Sequence, residues 1–218
     1  MRIGVLGGTF DPPHIGHLVV AQEVWWRLRL DKVVFVPAGN PWHKAGEDVT
    51  PAHHREAMVR LAIGDDSRFE LSRVDIERPG PTYTVDTLTE LRRAYPPATK
   101  LYFILGTDAL AQLPTWRSPE RVISLARLAV VPRPGFGPVD LDRLEAEIPG
   151  LKAAIELVPV PAVGISSSEI ARRVAAGEPF RYLVPEAVYR YIEAHRLYLP
   201  SAQPLPAADP LSWPRDPG

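Results

Sequence analysis

Short apolar runs of strand length alternate along this chain with segments whose apolar residues recur at helical spacing. That alternation predicts a parallel sheet covered by helices, the α/β class. Arg2 to Leu6 reads as a buried strand, followed by a Gly-rich turn and a helical stretch carrying Leu18, Ala21, Trp25 and Leu28 along one face. Lys32 to Val36, Lys100 to Leu105 and Leu128 to Val131 read as later strands, each leading into a loop that contains Gly or Pro. Helical spacing marks His53 to Ile63, Val85 to Ala94, Asp140 to Glu147, Ser167 to Ala176 and Pro185 to His195. In an open parallel sheet the loops at the carboxyl ends of the strands form the ligand crevice. The segments after Leu6, Val36, Leu105 and Val131 are therefore expected to meet in space.

Length and composition narrow this picture. With 218 residues, 45% of them hydrophobic, the chain is long enough for one sizeable core. One domain is expected over 1–198, including a C-terminal helical part, with 199–218 as a Pro-rich, poorly packed tail. Twenty-five Lys and Arg against 26 Asp and Glu leave a formal charge of -1, so no broad basic surface is offered to nucleic acid or to an anionic membrane. The absence of cysteine excludes disulfides, thiolate metal sites and cysteine nucleophiles. No apolar run reaches the length of a membrane span and no signal-peptide core precedes Gly7, so the expected location is cytoplasmic. Composition leaves room for a homo-oligomer without specifying one.

The segment richest in chemistry is Gly7-Gly8-Thr9-Phe10-Asp11-Pro12-Pro13-His14-Ile15-Gly16-His17, between the first strand and the first long helix. Adjacent glycines let the backbone bend sharply and bring N–H groups close to an anion. His17 falls where the helix begins, beside free N–H groups and the positive end of the dipole. His14 and His17 are three apart, one face of a helical turn, so both can contact one triphosphate. The chain contains neither G-x-x-x-x-G-K-[ST] nor G-x-G-x-x-G after a strand, which removes a P-loop and a dinucleotide clamp. A second phosphate element is Ser166-Ser167-Ser168-Glu169, where Ser166 and Glu169 have capping-box spacing; a helix cap and an anion site are compatible readings of it.

The first of these segments resembles the G-G-[ST]-F-D-P-x-H-x-G-H signature of the nucleotidyltransferase superfamily, and specifically of bacterial nicotinate-nucleotide adenylyltransferases. Further stretches similar to that family follow in order: Asn40 to Lys44, Arg55 with Met58, Tyr83 to Leu88, Phe103 to Asp108 with Trp116, Arg133 to Gly135, Ile165 to Ile170 and Leu183 to Pro185. The expected architecture is α/β, a Rossmann-like open parallel sheet with helices on both faces.

The resemblance implies adenylyl transfer from ATP to nicotinate mononucleotide, giving deamido-NAD and pyrophosphate. His14 and His17 are the implied catalytic residues, His17 facing the α-phosphate. Gly7, Gly8, Thr9, Phe10, Gly16, Gly106, Asp108, Ser166, Ser167, Ser168 and Arg172 are the implied ATP-binding set. Asn40, Lys44, Tyr83, Thr84, Trp116 and Arg133 are implied for the mononucleotide. Mg²⁺ is expected to accompany ATP on phosphate oxygens and water, with no protein ligand assigned. One position departs from the family pattern: Ala171 stands where Arg is common, and Arg172 replaces that guanidinium only if the helix start is rotated by about 100° or the side chain reaches round.

Other readings use the same residues. The crevice could accept nicotinamide mononucleotide or phosphopantetheine instead, although chain length and the Tyr83 to Leu88 segment favour a pyridine nucleotide. A metal-dependent hydrolase would draw on Asp11, His14, His17 and one of His43, His53 or His54. A non-catalytic nucleotide sensor is the third class.

Overall fold

The computed structural model describes residues 1–41, 49–133 and 135–200. Lys44 and the Pro-rich segment from position 201 onward lie outside them. The elements are β1 (Arg2–Gly8), α1 (Ile15–Arg27), β2 (Lys32–Pro37), α2 (Ala52–Ile63), β3 (Phe69–Leu71), α3 (Val74–Glu77), α4 (Thr84–Ala94) and β4 (Lys100–Gly106). They continue with α5 (Thr107–Ala111), α6 (Pro119–Leu125), β5 (Arg127–Val131), α7 (Leu141–Glu147), α8 (Leu151–Ala154), β6 (Ile155–Leu157), α9 (Ser167–Ala176) and α10 (Glu186–His195). Every strand and helix expected from the apolar pattern is present, with ends displaced by one or two residues. The elements that pattern does not signal are short: β3 and β6 have three residues each, α3 and α8 four, α5 five and α6 seven. Pieces that short hold fewer than two periods of an apolar repeat, too few for the repeat to be read.

All six strands pair in parallel, in the order β3-β2-β1-β4-β5-β6. The direction of winding reverses between β1 and β4, and at such a reversal the loops leaving two neighbouring strands diverge and open a crevice. The two edges are the three-residue strands, which keeps exposed ladder groups few.

Alternation along the strands fills both faces. Ile3, Val5, Val34, Val36, Leu101 and Phe103 meet Val85, Leu88 and Leu91 of α4 on one side. Leu6, Val33, Phe35 and Ile104 meet Ala21 and Val24 of α1 on the other. A third cluster joins Met58 of α2 to Ile170 and Val174 of α9 and to Val188 and Ile192 of α10, so the C-terminal helices are fastened to the sheet through α2.

The fastening has a polar centre. Arg55 on α2 is 1% exposed, and its guanidinium donates to four main-chain carbonyls: Thr50 at 2.7 Å, Thr9 at 2.9 Å, Ala38 at 2.7 Å and Gly39 at 3.0 Å. Burial lowers the pKa of Arg55 while the neighbouring Asp11 charge acts against that shift. Asp11 in turn accepts from the Thr50 N–H at 2.9 Å and from the Tyr198 hydroxyl at 2.6 Å. One cation thereby ties the loops after β1 and β2 to α2, and through Asp11 to the chain beyond α10.

Replacing Arg55 with Met leaves those carbonyls and Asp11 without their cation. The expected loss is about 3–5 kcal/mol in chemical denaturation, the range for removing one partner of a buried charge network. Tyr198→Phe should cost about 1 kcal/mol. An Arg55→Met protein as stable as the parent would show that the carbonyls find other donors.

Candidate active site

The turn between β1 and α1 is held in a form that few side chains adopt. Phe10 has φ 52° and is 2% exposed, its ring packed on the α1 side of the sheet. A Cβ on Gly8 would lie 3.2 Å from that ring, which explains the glycine. A non-glycine residue in the left-handed region costs of order 1–3 kcal/mol and persists where its surroundings over-determine it.

His14 and His17 form the next layer. Their rings stack at 3.7 Å between centroids with 30° between planes. The His14 N–H donates to Nδ1 of His17 at 3.1 Å, and the His17 N–H donates to the His14 carbonyl at 3.0 Å. Since Nδ1 of His17 accepts, its neutral ring carries the proton on Nε2. A Cβ on Gly16 would stand 3.0 Å from the His14 ring, so glycine there leaves that ring its place. Nδ1 of His14 is buried without a protein partner. Burial, with the Arg133 charge adding to it, lowers His14 to about 4. Burial also holds His17 well below the usual imidazole range, reinforced by His14 and Arg133. Both rings are neutral at pH 7.

These rings line a cavity of about 650 Å³ at the reversal point of the sheet. On the His side its wall includes Gly7, Gly8, Thr9, Gly16 and Ser166. The wall also includes Gly106, the last residue of β4, and Asp108 in α5. Asp108 folds back over Gly106, where any Cβ would lie 2.3 Å from its Oδ1, and sits 3.4 Å from Nε of Arg133. The far wall holds Tyr83 and Thr84 at the start of α4, together with Trp116 and Arg133. Trp116 packs edge-on against Phe103 at 5.9 Å and 86°. The strand-end loops expected to meet do so at this cavity.

Other expected site residues lie off the wall or are engaged in holding the fold. Phe10 is core. The Asn40 main chain is paired with Thr82, its N–H donating to Oγ1 at 3.2 Å and its carbonyl accepting at 2.8 Å, with the side chain exposed outside the cavity lining. Ser166 caps α9 by accepting from the Glu169 N–H at 3.2 Å, and Ser167 donates to the Pro12 carbonyl at 2.8 Å, fastening α9 to the turn before His14. Ser168 is not part of the cavity wall. Arg172 is occupied elsewhere: its guanidinium forms paired contacts with Glu169 at 2.8 and 2.9 Å and with Glu178 at 2.7 Å. Arg173 also bonds Glu169, and the two guanidiniums hold that carboxyl down at about 2. The register of α9 turns Arg172 toward its own acidic neighbours rather than the cavity.

Two charged wall residues carry no motif signal in the chain. Asp75 on α3 is 4% exposed; burial pushes its carboxyl up to about 6, although Thr87 donates to it at 2.6 Å and Arg78 pairs with it. Gly39 abuts Asp75 so closely that a Cβ would lie 2.2 Å from its carbonyl oxygen, which brings the loop after β2 against α3. The other residue is Arg117, directly after Trp116. Among the described residues no group of three His, Asp or Glu side chains is arranged to hold a metal ion. His53 and His54 pack instead with each other, and His54 with Tyr191 and His195 of α10. No described helix is long and apolar enough to cross a membrane.

Comparison with known proteins agrees with this geometry. Residues 5–173 match the family described as cytidylyltransferase-like. A protein of Thermomicrobium roseum named as a probable nicotinate-nucleotide adenylyltransferase is 48% identical over 209 residues, 96% of this chain and 97% of the relative. One from Roseiflexus sp. with the same name is 50% identical over 90% of this chain and 97% of its own length. Among solved structures, the nicotinic acid mononucleotide adenylyltransferase of Plasmodium falciparum complexed with NaAD superposes with a TM-score of 0.74 at 21% identity, covering 90% of this chain and 97% of that one, a likeness of fold. With its signature turn, its strand order and this identity along nearly the whole length, the chain belongs to the nicotinate-nucleotide adenylyltransferases of the cytidylyltransferase-like family.

Proposed function

We propose that this protein transfers the adenylyl group of ATP to nicotinate mononucleotide. A 5′-phosphate oxygen of the mononucleotide attacks the α-phosphorus of ATP, the bond to the bridging oxygen of the β-phosphate breaks, and pyrophosphate leaves with that electron pair. The product is deamido-NAD. The observation that carries this reading is the stacked pair of neutral imidazoles at the amino end of α1, opening on the cavity at the strand reversal.

The chemistry asks little of a base. A phosphate monoester is already anionic near neutral pH, its second pKa being about 6. What remains is to hold two polyanions in line and stabilise charge at the α-phosphate. His17 supplies Nε2–H, its tautomer set by the main-chain bond at Nδ1. His14 supplies a buried nitrogen that no protein group occupies. The start of α1 at Gly16 and the start of α9 at Ser166 line the same cavity and serve the β- and γ-phosphates. Gly106 and Asp108 stand where a ribose would bring its hydroxyls, and the indole of Trp116 offers a face for a planar pyridine ring. Arg133 serves the mononucleotide phosphate.

Mg²⁺ is the ion that accompanies ATP. Among the described residues, the two carboxylates on the cavity wall are engaged, Asp75 by Thr87 and Arg78 and Asp108 by Arg133. That donor set suits an ion carried on phosphate oxygens and water rather than in a protein cage. When bound it neutralises phosphate charge.

Pyrophosphate release with ATP and nicotinate mononucleotide tests the assignment. His17→Ala should lower kcat by about 10²–10³, the cost of one preorganised donor, with the KM of the mononucleotide little changed. Undiminished turnover by folded His17→Ala protein would remove the imidazole from the reaction.

The same burial has a pH signature in the ligand-free protein. Folding lowers His14 from 6.5 to about 4 and lowers His17 as well, so below pH 6.5 the unfolded chain binds more protons. Each imidazole therefore contributes stability present above pH 6.5 and lost as pH falls, with a limiting slope of about 1.4 kcal/mol per pH unit. Asp75, raised from 3.8 to about 6, acts in the opposite sense between those values. Stability measured by denaturation from pH 7 to pH 4.5 should fall less steeply in His14→Gln than in the parent. An unchanged slope would mean that this ring is not held neutral.

A further inference from the structure

The acceptor side of the cavity contains a cation that the reaction as derived above does not use. Arg117 lies on the cavity wall next to Trp116, with its guanidinium 4.9 Å from the centroid of the Tyr83 ring. Tyr83 is the residue before α4 and Thr84 is the first residue of that helix, so Arg117 stands over the helix start that faces the cavity. The side chain is 59% exposed, and its ion pair with Asp86 in the first turn of α4 is long, 3.5 Å. A contact of that length in solvent holds a guanidinium weakly. Ser118, immediately after it, has φ 51° and precedes Pro119, a left-handed turn that presents Trp116 and Arg117 to the same cavity.

Among the described residues, the other cations of the cavity region are committed differently. Arg133 faces Asp108, and Arg78 is divided between Asp75 and Glu90. Nicotinate and nicotinamide differ in one group, an anionic carboxylate against a neutral amide. Tyr83, Thr84, Trp116 and Arg117 line one cavity, so a pyridine ring set against Trp116 would turn that group toward the α4 start and Arg117. A guanidinium fork matches a carboxylate with two parallel N–H···O bonds, a fit the amide cannot repeat.

We propose that the Arg117 side chain is a specificity-determining residue of this adenylyltransferase, exchanging its loose contact with Asp86 for the carboxylate of the nicotinate ring and so favouring the acid mononucleotide over its amide. The assignment rests on the function proposed above. In the absence of substrate, Asp86 keeps the guanidinium near Tyr83; on binding, the substrate carboxylate competes for it.

The test compares kcat/KM for nicotinate and nicotinamide mononucleotides, each with saturating ATP, in the parent, Arg117→Gln, Arg117→Lys and Asp86→Asn proteins. Arg117→Gln should lower the acid-to-amide ratio by about five- to fiftyfold, through KM for the acid, with the amide values nearly unchanged. Arg117→Lys, which keeps the charge without the fork, should recover part of the ratio, and Asp86→Asn should raise it. Calorimetric binding of the two mononucleotides to parent and Arg117→Gln protein reads the same preference without turnover. Equal losses for both mononucleotides, or an unchanged ratio in Arg117→Gln, would overturn the role of Arg117 and leave the proposed reaction standing. A parent protein that turns over neither mononucleotide would instead overturn the reaction, and the binding measurement would still decide the role of Arg117.

Discussion

The site depends on one buried cation. Arg55 reaches from α2 into the gap beneath the loops after β1 and β2 and bonds four of their carbonyls. Loops at the carboxyl ends of parallel strands leave main-chain oxygens without partners, and burying them without donors is costly. A guanidinium suits this task because its donors are fixed in one plane and stay charged even when burial opposes the charge. The turn before α1 can therefore be kept in an unfavourable shape at Phe10.

From that constraint the electrostatics of the cavity follow. The turn delivers two imidazoles so close together, and so well buried, that neither holds a proton at pH 7. Neutral rings suit the proposed contact with a triphosphate, because the ligand's own charge would raise their proton affinity as it binds. Asp75 shows the same logic in reverse, burial keeping a carboxyl on the cavity wall closer to neutrality. Permanent positive charge is left to guanidiniums at the rim, Arg133 and Arg117, which are largely exposed.

The C-terminal helices belong to this arrangement. Ser167 bonds the Pro12 carbonyl and Tyr198 bonds Asp11, so α9 and the chain after α10 both close on the signature turn. Residues more than 150 positions away in the chain thus help fix where His14 and His17 stand, which explains why the sheet and the helical part share one packed unit through α2.

Much of this was legible without coordinates. The four central strands and the long helices follow from apolar spacing, because each buries a face long enough to repeat its period. The Gly7 to His17 segment announces an anion site, because only glycine and small turns allow a main chain so near a phosphate. What the chain alone could not decide is set by contacts between distant segments. Asp75 and Arg117 join the cavity only because α3 packs against the loop after β2 and the residues after Trp116 are brought beside the start of α4. Arg172 lies in the right segment for a phosphate, yet the 100° step per residue of α9 commits it to Glu169 and Glu178. Sequence spacing specifies which faces are buried and which chemistry is present. Direction in space, and hence which charges share a cavity, emerges only when strand order and helix register are fixed by packing.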